Sequence, residues 1–218
     1  LNGIISNKEP EVVELWPAAV DCCAVIAKKC PNEFVPYVRD FATFIAQNIE
    51  SPETDFGCAC INSLAFLIDT YTSLLEDVAV EVIPGLIRLA NKDFHDLVDL
   101  ETMEKVISIL EDDLEEDAMM MPANSMAQPG EAASLLCLII RTYPSTAPAN
   151  FEQALDILTT LAGYQSSYTS KQALDALTQL YEVTQEDPGF RQLYAQKVSF
   201  IAPIILDSAE EDIAGRVV

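Results

Sequence analysis

The sequence predicts an all-α fold, an α-α superhelix in which short helices stack in pairs. Apolar residues recur at spacings of three and four through most of the 218 residues, whereas the alternation typical of strands is rare. The 12 prolines fall mainly between these apolar segments, and there are only 7 glycines. Since the segments also come in pairs at regular intervals, the pattern indicates repetition of one structural unit.

The first predicted pair consists of a helix over residues 11–29 and a second over residues 33–49. Val20, Cys23 and Ile26 belong to a broad apolar face of the first helix, and Phe34, Tyr37 and Phe41 to that of the second. Residues 30–32 are predicted to separate the two helices.

The later helices follow the same scheme. Ser51 and Pro52 are predicted to be the N-cap and first helical residue of the next helix, and Pro129-Gly130 and Ser170 to open two others. Turns are predicted at 143–148 and 187–189. The remaining predicted helices span 56–71, 78–89, 131–141, 151–161, 171–183 and 190–206.

The pairs begin near Pro10, Pro52, Lys92, Pro129 and Thr169, at intervals of 42, 40, 37 and 40 residues. A period near 40 is typical of HEAT and armadillo repeats, in which each helix pair buries its apolar face against its neighbours. We therefore predict a HEAT/armadillo-like solenoid of about five helix-pair repeats, forming one segment over 1–218. A helical bundle without repeats is the alternative. The predicted repeats lie near 10–50, 52–90, 92–127, 129–163 and 169–207.

The third predicted repeat is irregular and strongly acidic. Its acidic run surrounds Leu114, and two hypotheses explain it: a site for basic proteins, or a solvated face of the superhelix. The run contains Asp112, Asp113, Glu115, Glu116 and Asp117.

Net charge limits the possible partners. The formal charge is −23, from 35 acidic and 12 basic residues. Nucleic acid is not expected as a partner, because binding phosphates requires Lys and Arg. Basic proteins are the natural partners, although the charge could also serve only for solubility. Membrane insertion is not expected, because no apolar run approaches the roughly 20 residues that a span requires.

The sequence predicts neither catalysis nor a cofactor. His95 is the single histidine, and no P-loop, calcium-binding loop or CxxC pair occurs. The six cysteines are predicted to be reduced; Cys22, Cys23, Cys58, Cys60 and Cys137 lie within apolar helical pattern. Because the chain opens on Leu1, we expect a segment of a longer protein.

Short motifs add a family resemblance. Proline follows apolar residues within predicted second helices, as FVPY at 34–37, VIPGL at 82–86 and IAPII at 201–205, and acidic Pro-containing turns occur as KEPEV at 8–12 and SPE at 51–53. With these motifs the chain resembles the HEAT repeats of importin-β-type nuclear transport receptors. The ladder of Asp and Arg found in typical HEAT repeats is not recognisable.

The resemblance implies a protein-binding function in cytoplasm and nucleus. The expected partners are basic protein cargo, the Ran GTPase and Phe-Gly nucleoporins, the last in crevices between first helices. The acidic run is the expected charged contact, with Asp40 and Glu50 as additional candidates. The alternative function is a HEAT-repeat scaffold subunit of a phosphatase, coat or other multiprotein complex.

Overall fold

The computed structural model describes residues 14–92, 123–163, 167–185 and 187–215, and within these ranges it is helical without strands. The predicted all-α class is therefore confirmed for this part of the chain. The short 3-10 helices Thr72–Leu74 and Pro144–Thr146 lie in links. The α-helices are α1 (Trp16–Lys29), α2 (Pro31–Ala46), α3 (Thr54–Thr70), α4 (Glu76–Ala90), α5 (Ala123–Thr142), α6 (Ala147–Ala162), α7 (Ser167–Val183) and α8 (Pro188–Gly215).

The helix starts differ most from the predictions. The predicted N-cap at Ser51 is wrong, because α3 begins at Thr54. The Ser51 hydroxyl instead accepts a hydrogen bond from the Glu53 backbone N–H at 3.2 Å, closing a local turn. Helix α2 begins at Pro31 because proline needs no backbone N–H partner in the first turn of a helix.

Asp187, predicted to lie in a turn, caps helix α8. Its Oδ1 accepts a hydrogen bond from the Gly189 backbone N–H at 2.6 Å, with the Phe190 N–H at 3.4 Å. This is the usual satisfaction of unpaired N–H groups by an acidic N-cap. Pro188 is consequently the first helical residue and not part of a turn.

Helix α5 runs through Pro129, where the sequence predicts a helix start. An internal proline removes one backbone hydrogen bond and costs about 3 kcal/mol in an isolated helix. Burial offsets this cost, since Ala132, Leu135 and Leu136 just beyond the proline are almost completely inaccessible to solvent. Residues 167–170 likewise extend α7 ahead of the predicted start at Lys171.

The first helix of each described pair contacts the first helix of the next. Helices α1, α3, α5 and α7 contact one another in that order, α2 contacts α1, α3 and α4, and α6 contacts α5, α7 and α8. Helix α5 contacts α3, α4, α6 and α7 and is the centre of the described packing.

The direct contact between α3 and α5 was not predicted. The predicted repeat near 92–127 separates these two helices in the sequence, yet they pack on each other. Residues 93–122 of that repeat lie outside the described residues, and 123–127 belong to α5.

Three buried residues of the core recur in the sequence 72 positions later. This distance differs from the 37 to 42 residues between the starts of successive predicted pairs. Leu64, Tyr71 and Leu89 are followed 72 positions later by Leu136, Tyr143 and Leu161, and all six are buried. Since the first three belong to the α3–α4 pair and the others to α5–α6, the two pairs carry the same residue types at these three positions.

The predicted apolar faces of α1 and α2 are only partly buried. Val25, Ile26 and Tyr37 are 55%, 48% and 63% exposed, contrary to the prediction, whereas Val20 and Ala27 are fully buried. The reason is that α1 buries only Val20 and Ala27 against its neighbours, and Val25 lines an open crevice between α1 and α3.

Two tyrosines join neighbouring pairs at equivalent places. Tyr71, directly after α3, donates its hydroxyl hydrogen to the backbone oxygens of Ala27 (2.9 Å) and Pro31 (3.2 Å) at the α1–α2 turn. Tyr143, directly after α5, donates to the Thr72 oxygen (2.8 Å) at the α3–α4 link. Each hydroxyl therefore fixes one pair against the link of the preceding pair.

We expect Tyr143→Phe to lower the free energy of unfolding by about 1 kcal/mol, because the substitution removes this hydrogen bond and leaves the aromatic ring in place. Urea denaturation followed by circular dichroism measures the change. Tyr37→Phe is the matched control, since Tyr37 is exposed and should change stability by less than about 0.5 kcal/mol. Equal effects of the two substitutions would show that the Tyr143 hydroxyl contributes nothing.

Candidate protein-binding surfaces

A shallow crevice lies between α1 and α3, and we call it the α1–α3 crevice. Its volume is about 400 Å³. Ala24, Val25 and Phe66 supply apolar surface, and the Lys28 ammonium lies 5.8 Å from the centre of the Phe66 ring. An apolar floor with polar residues around it suits a single apolar or aromatic side chain of a partner. The polar residues are Asp21, Lys28, Asn62 and Ser63.

A second crevice crosses α3, α5 and α7, and we call it the α3–α5–α7 crevice. Its volume is about 370 Å³. The apolar part of its lining comes from α3 and α5, and polar side chains from all three helices complete it. The apolar residues are Ile61, Ala65, Leu135 and Leu138, and the polar ones are Asn62, Asp69, Glu131, Ser134, Arg141, Gln172 and Gln179.

Polar atoms in the α3–α5–α7 crevice lack partners. Glu131 Oε2 and Gln172 Oε1 are buried and accept no hydrogen bond. Gln172 lies directly over Gly130, where an added Cβ would come within 2.2 Å of Oε1. The one cation of the crevice, Arg141, pairs with Glu182 at 3.5 Å. The two buried oxygens beside the crevice are therefore acceptors that the described part of the chain does not use.

Ion pairs connect the second helices. Arg39 on α2 pairs with Asp77 on α4, and Lys197 on α8 pairs with Asp156 on α6. These pairs are largely exposed, and pairs of this kind contribute at most about 1 kcal/mol each.

Glu50 forms another of these ion pairs and lies in the turn after α2. Its Oε1 accepts a hydrogen bond from Arg88 Nε at 2.9 Å, and its Oε2 accepts one from Arg88 Nη2 at 2.6 Å. Hydrogen bonding to Arg88 lowers the pKa of Glu50, so the pair stays charged at neutral pH. Gly85 makes room for it, since an added Cβ would lie 3.2 Å from Glu50 Oε2.

Of the predicted site residues, the structure describes Asp40 and Glu50. Asp40 is exposed on α2 and has no ion-pair partner among the described residues, whereas Glu50 is already paired. The acidic run lies outside the described residues. Its five acids are Asp112, Asp113, Glu115, Glu116 and Asp117.

Sequence reasoning missed the connections between pairs. Arg39–Asp77 and Glu50–Arg88 both join residues 38 positions apart, and Arg141–Glu182 and Asp156–Lys197 both join residues 41 apart. A search for opposite charges separated by about one repeat length could have found these pairs. The Asp and Arg ladder of typical HEAT repeats lies at other, fixed positions, so it does not reveal these pairs.

The buried thiols behave as apolar groups. Burial raises the pKa of Cys60 and Cys137 to about 12, and burial together with nearby Glu131 raises that of Cys58. The thiolate is the form that attacks substrates and binds metals. Cys22, predicted to share an apolar environment, is exposed on α1. Within the described ranges no three His, Cys, Asp or Glu residues are grouped as a metal would require.

None of the helices in the described part of the chain has the length and apolar character needed to cross a membrane. No family model, curated protein or solved structure matches this chain.

Proposed function

We propose that the chain is a protein-binding segment of a HEAT/armadillo-like solenoid that recognises basic proteins and has no catalytic activity. The packing supports the solenoid, because α1, α3, α5 and α7 contact one another in chain order and each described pair meets mainly its neighbours. The 72-residue recurrence of buried Leu and Tyr, and the equivalent places of Tyr71 and Tyr143, support it further.

Unneutralised acidic charge is the observation that carries the proposal. The chain has 35 acidic residues against 12 Lys and Arg. Arg39, Arg88, Arg141 and Lys197 are already paired internally, so few cations remain for the exposed carboxylates. A surface of this charge accelerates the encounter with basic segments and holds them in a salt-dependent way.

The proposed class is a nuclear transport receptor of the importin-β type, present in cytoplasm and nucleus. Its partners are basic protein cargo and the Ran GTPase on the acidic surface, and Phe-Gly nucleoporins on the first helices. The α1–α3 crevice supports the last proposal, because Val25 and Phe66 provide apolar surface for a phenylalanine ring.

Charge reversal of the acidic run tests the proposal. We expect Asp112, Asp113, Glu115 and Glu116, all changed to Lys, to weaken binding of a fluorescent Lys/Arg-rich peptide by at least about tenfold. Fluorescence anisotropy measures the affinity, which should also fall as ionic strength rises. Circular dichroism should show unchanged helicity.

The control reverses the same number of exposed acids on α2, α4, α6 and α7. Glu33, Glu81, Glu152 and Asp175 are changed to Lys. If both variants lose affinity equally, only the overall charge matters, and the acidic run is not the site. If the unmodified chain binds neither basic peptides nor Ran but binds the catalytic subunit of an enzyme complex, the proposed function is wrong and the chain is a scaffold.

A further inference from the structure

We propose that the α3–α5–α7 crevice binds the guanidinium group of an arginine side chain in an extended segment of the protein partner. The inference deepens the proposed protein-binding function and rests on it. The proposed contact lies on the first helices α3, α5 and α7.

The unpartnered acceptors indicate what kind of group is missing. Glu131 Oε2 and Gln172 Oε1 are buried without a hydrogen-bond donor, and a buried acceptor left unsatisfied costs about 1–3 kcal/mol. A ligand that brings N–H donors removes this cost once the two side chains turn toward the crevice. Both oxygens belong to side chains that line the same crevice, on the adjacent helices α5 and α7.

Electrostatics favour a cationic donor. Glu131 and Asp69 contribute negative charge to the crevice, and the positive charge of Arg141 is already offset by Glu182. The remaining polar lining from Asn62, Gln172 and Gln179 is neutral and can accept further hydrogen bonds. A neutral amide would donate hydrogen bonds to the acceptors but would leave the negative charge unpaired. A cationic donor satisfies the acceptors and also neutralises the charge.

The shape of the crevice favours arginine over lysine. Ile61, Ala65 and Leu138 provide an apolar lining against which a methylene stem can lie. Guanidinium presents five N–H donors in a plane and loses less hydration than ammonium, so it can satisfy separated acceptors at once. Lysine provides three donors from one point.

The crevice is built on well-packed helices. Leu135 belongs to its floor and is 1% exposed, and Gly130 allows Gln172 to lie close against α5. Because both unpartnered oxygens are closed to solvent, the Glu131 and Gln172 side chains must rotate to meet the guanidinium, while the helices that hold them stay in place.

Fluorescence anisotropy with labelled tetra-arginine, tetra-lysine and tetra-citrulline peptides tests the inference on the whole chain at moderate ionic strength. The unmodified chain should bind tetra-arginine more tightly than tetra-lysine and should bind tetra-citrulline, which is neutral, least of all. Glu131→Gln should weaken tetra-arginine binding roughly tenfold and tetra-lysine binding by less. Glu152→Gln, an exposed change on α6, is the matched control and should change neither affinity more than about twofold.

Asp69→Asn provides a second variant, because Asp69 is exposed and its replacement cannot disturb the packing around Gly130 and Cys58. It should weaken tetra-arginine binding by about threefold to fivefold. If Glu131→Gln and Asp69→Asn both bind tetra-arginine like the unmodified chain, the crevice is not the site. In that case loss of binding on reversal of the acidic run would still support the proposed function. If the unmodified chain binds neither cationic peptide, the proposed function fails as well.

Discussion

Replacing Leu136 with Ala is expected to lower the free energy of unfolding by about 2–5 kcal/mol. Leu136 is fully buried in α5, the helix that contacts α3, α4, α6 and α7. Shortening its side chain removes apolar contacts and leaves a cavity that four surrounding helices cannot easily close. Because neighbouring pairs on both sides depend on α5, the loss should appear across the described part of the chain.

Urea denaturation followed by circular dichroism measures the effect. Leu138→Ala is the matched control, since Leu138 is on the same helix but only half-buried beside the α3–α5–α7 crevice. Its replacement should cost less than half as much. Similar losses at Leu136 and Leu138 would contradict the burial that the structure assigns to the two positions.

The second large effect is expected for Phe151→Ala, a loss of about 3–5 kcal/mol. Phe151 is 1% exposed on α6 and stacks on Phe190 of α8, with ring centres 4.4 Å apart and planes 19° from parallel. Helix α8 packs on α6 and α7, and the Tyr194 hydroxyl donates to the Leu177 oxygen at 3.0 Å. Loss of the ring therefore removes a main attachment of α8.

Hydrogen exchange distinguishes this local effect from general destabilisation. Amides of residues 190–199 should exchange faster in Phe151→Ala, whereas those of α3 should change little. Phe66→Ala is the control, because Phe66 is half-buried on α3 and far along the stack from α8. Equal acceleration in α3 and α8 would mean that the helices unfold as one unit.

The sequence predicted helices well where apolar spacing is regular and poorly at their starts. Proline was taken to begin a helix at Pro52 and Pro129, yet it lies before α3 and inside α5. Local propensity depends on neighbouring residues alone, whereas residues 128–130 are buried against other parts of the fold where α5 continues through Pro129. The spacing of apolar residues in the sequence does not reveal tertiary packing of this kind.

The candidate site was less predictable than the helices. The density of acidic residues marks the run at 112–117, and the family resemblance adds Asp40 and Glu50 as candidates, but Glu50 is neutralised by Arg88 across 38 positions. The unpartnered oxygens of Glu131 and Gln172 result from three helices meeting, and no short motif marks them. Whether a carboxylate is already paired or still available therefore depends on contacts between residues that are distant in the sequence.

The exposed position of the ion pairs has a practical consequence for purification and for partner exchange. Each side chain of the pairs Arg39–Asp77 and Arg88–Glu50 is more than two-fifths exposed. Added electrolyte therefore weakens these pairs but lowers the free energy of unfolding only slightly. Apolar burial, which electrolyte does not weaken, keeps the helices together. A basic protein held by the acidic surface should therefore elute in concentrated sodium chloride from an immobilised chain that remains folded and ready to bind again after dilution.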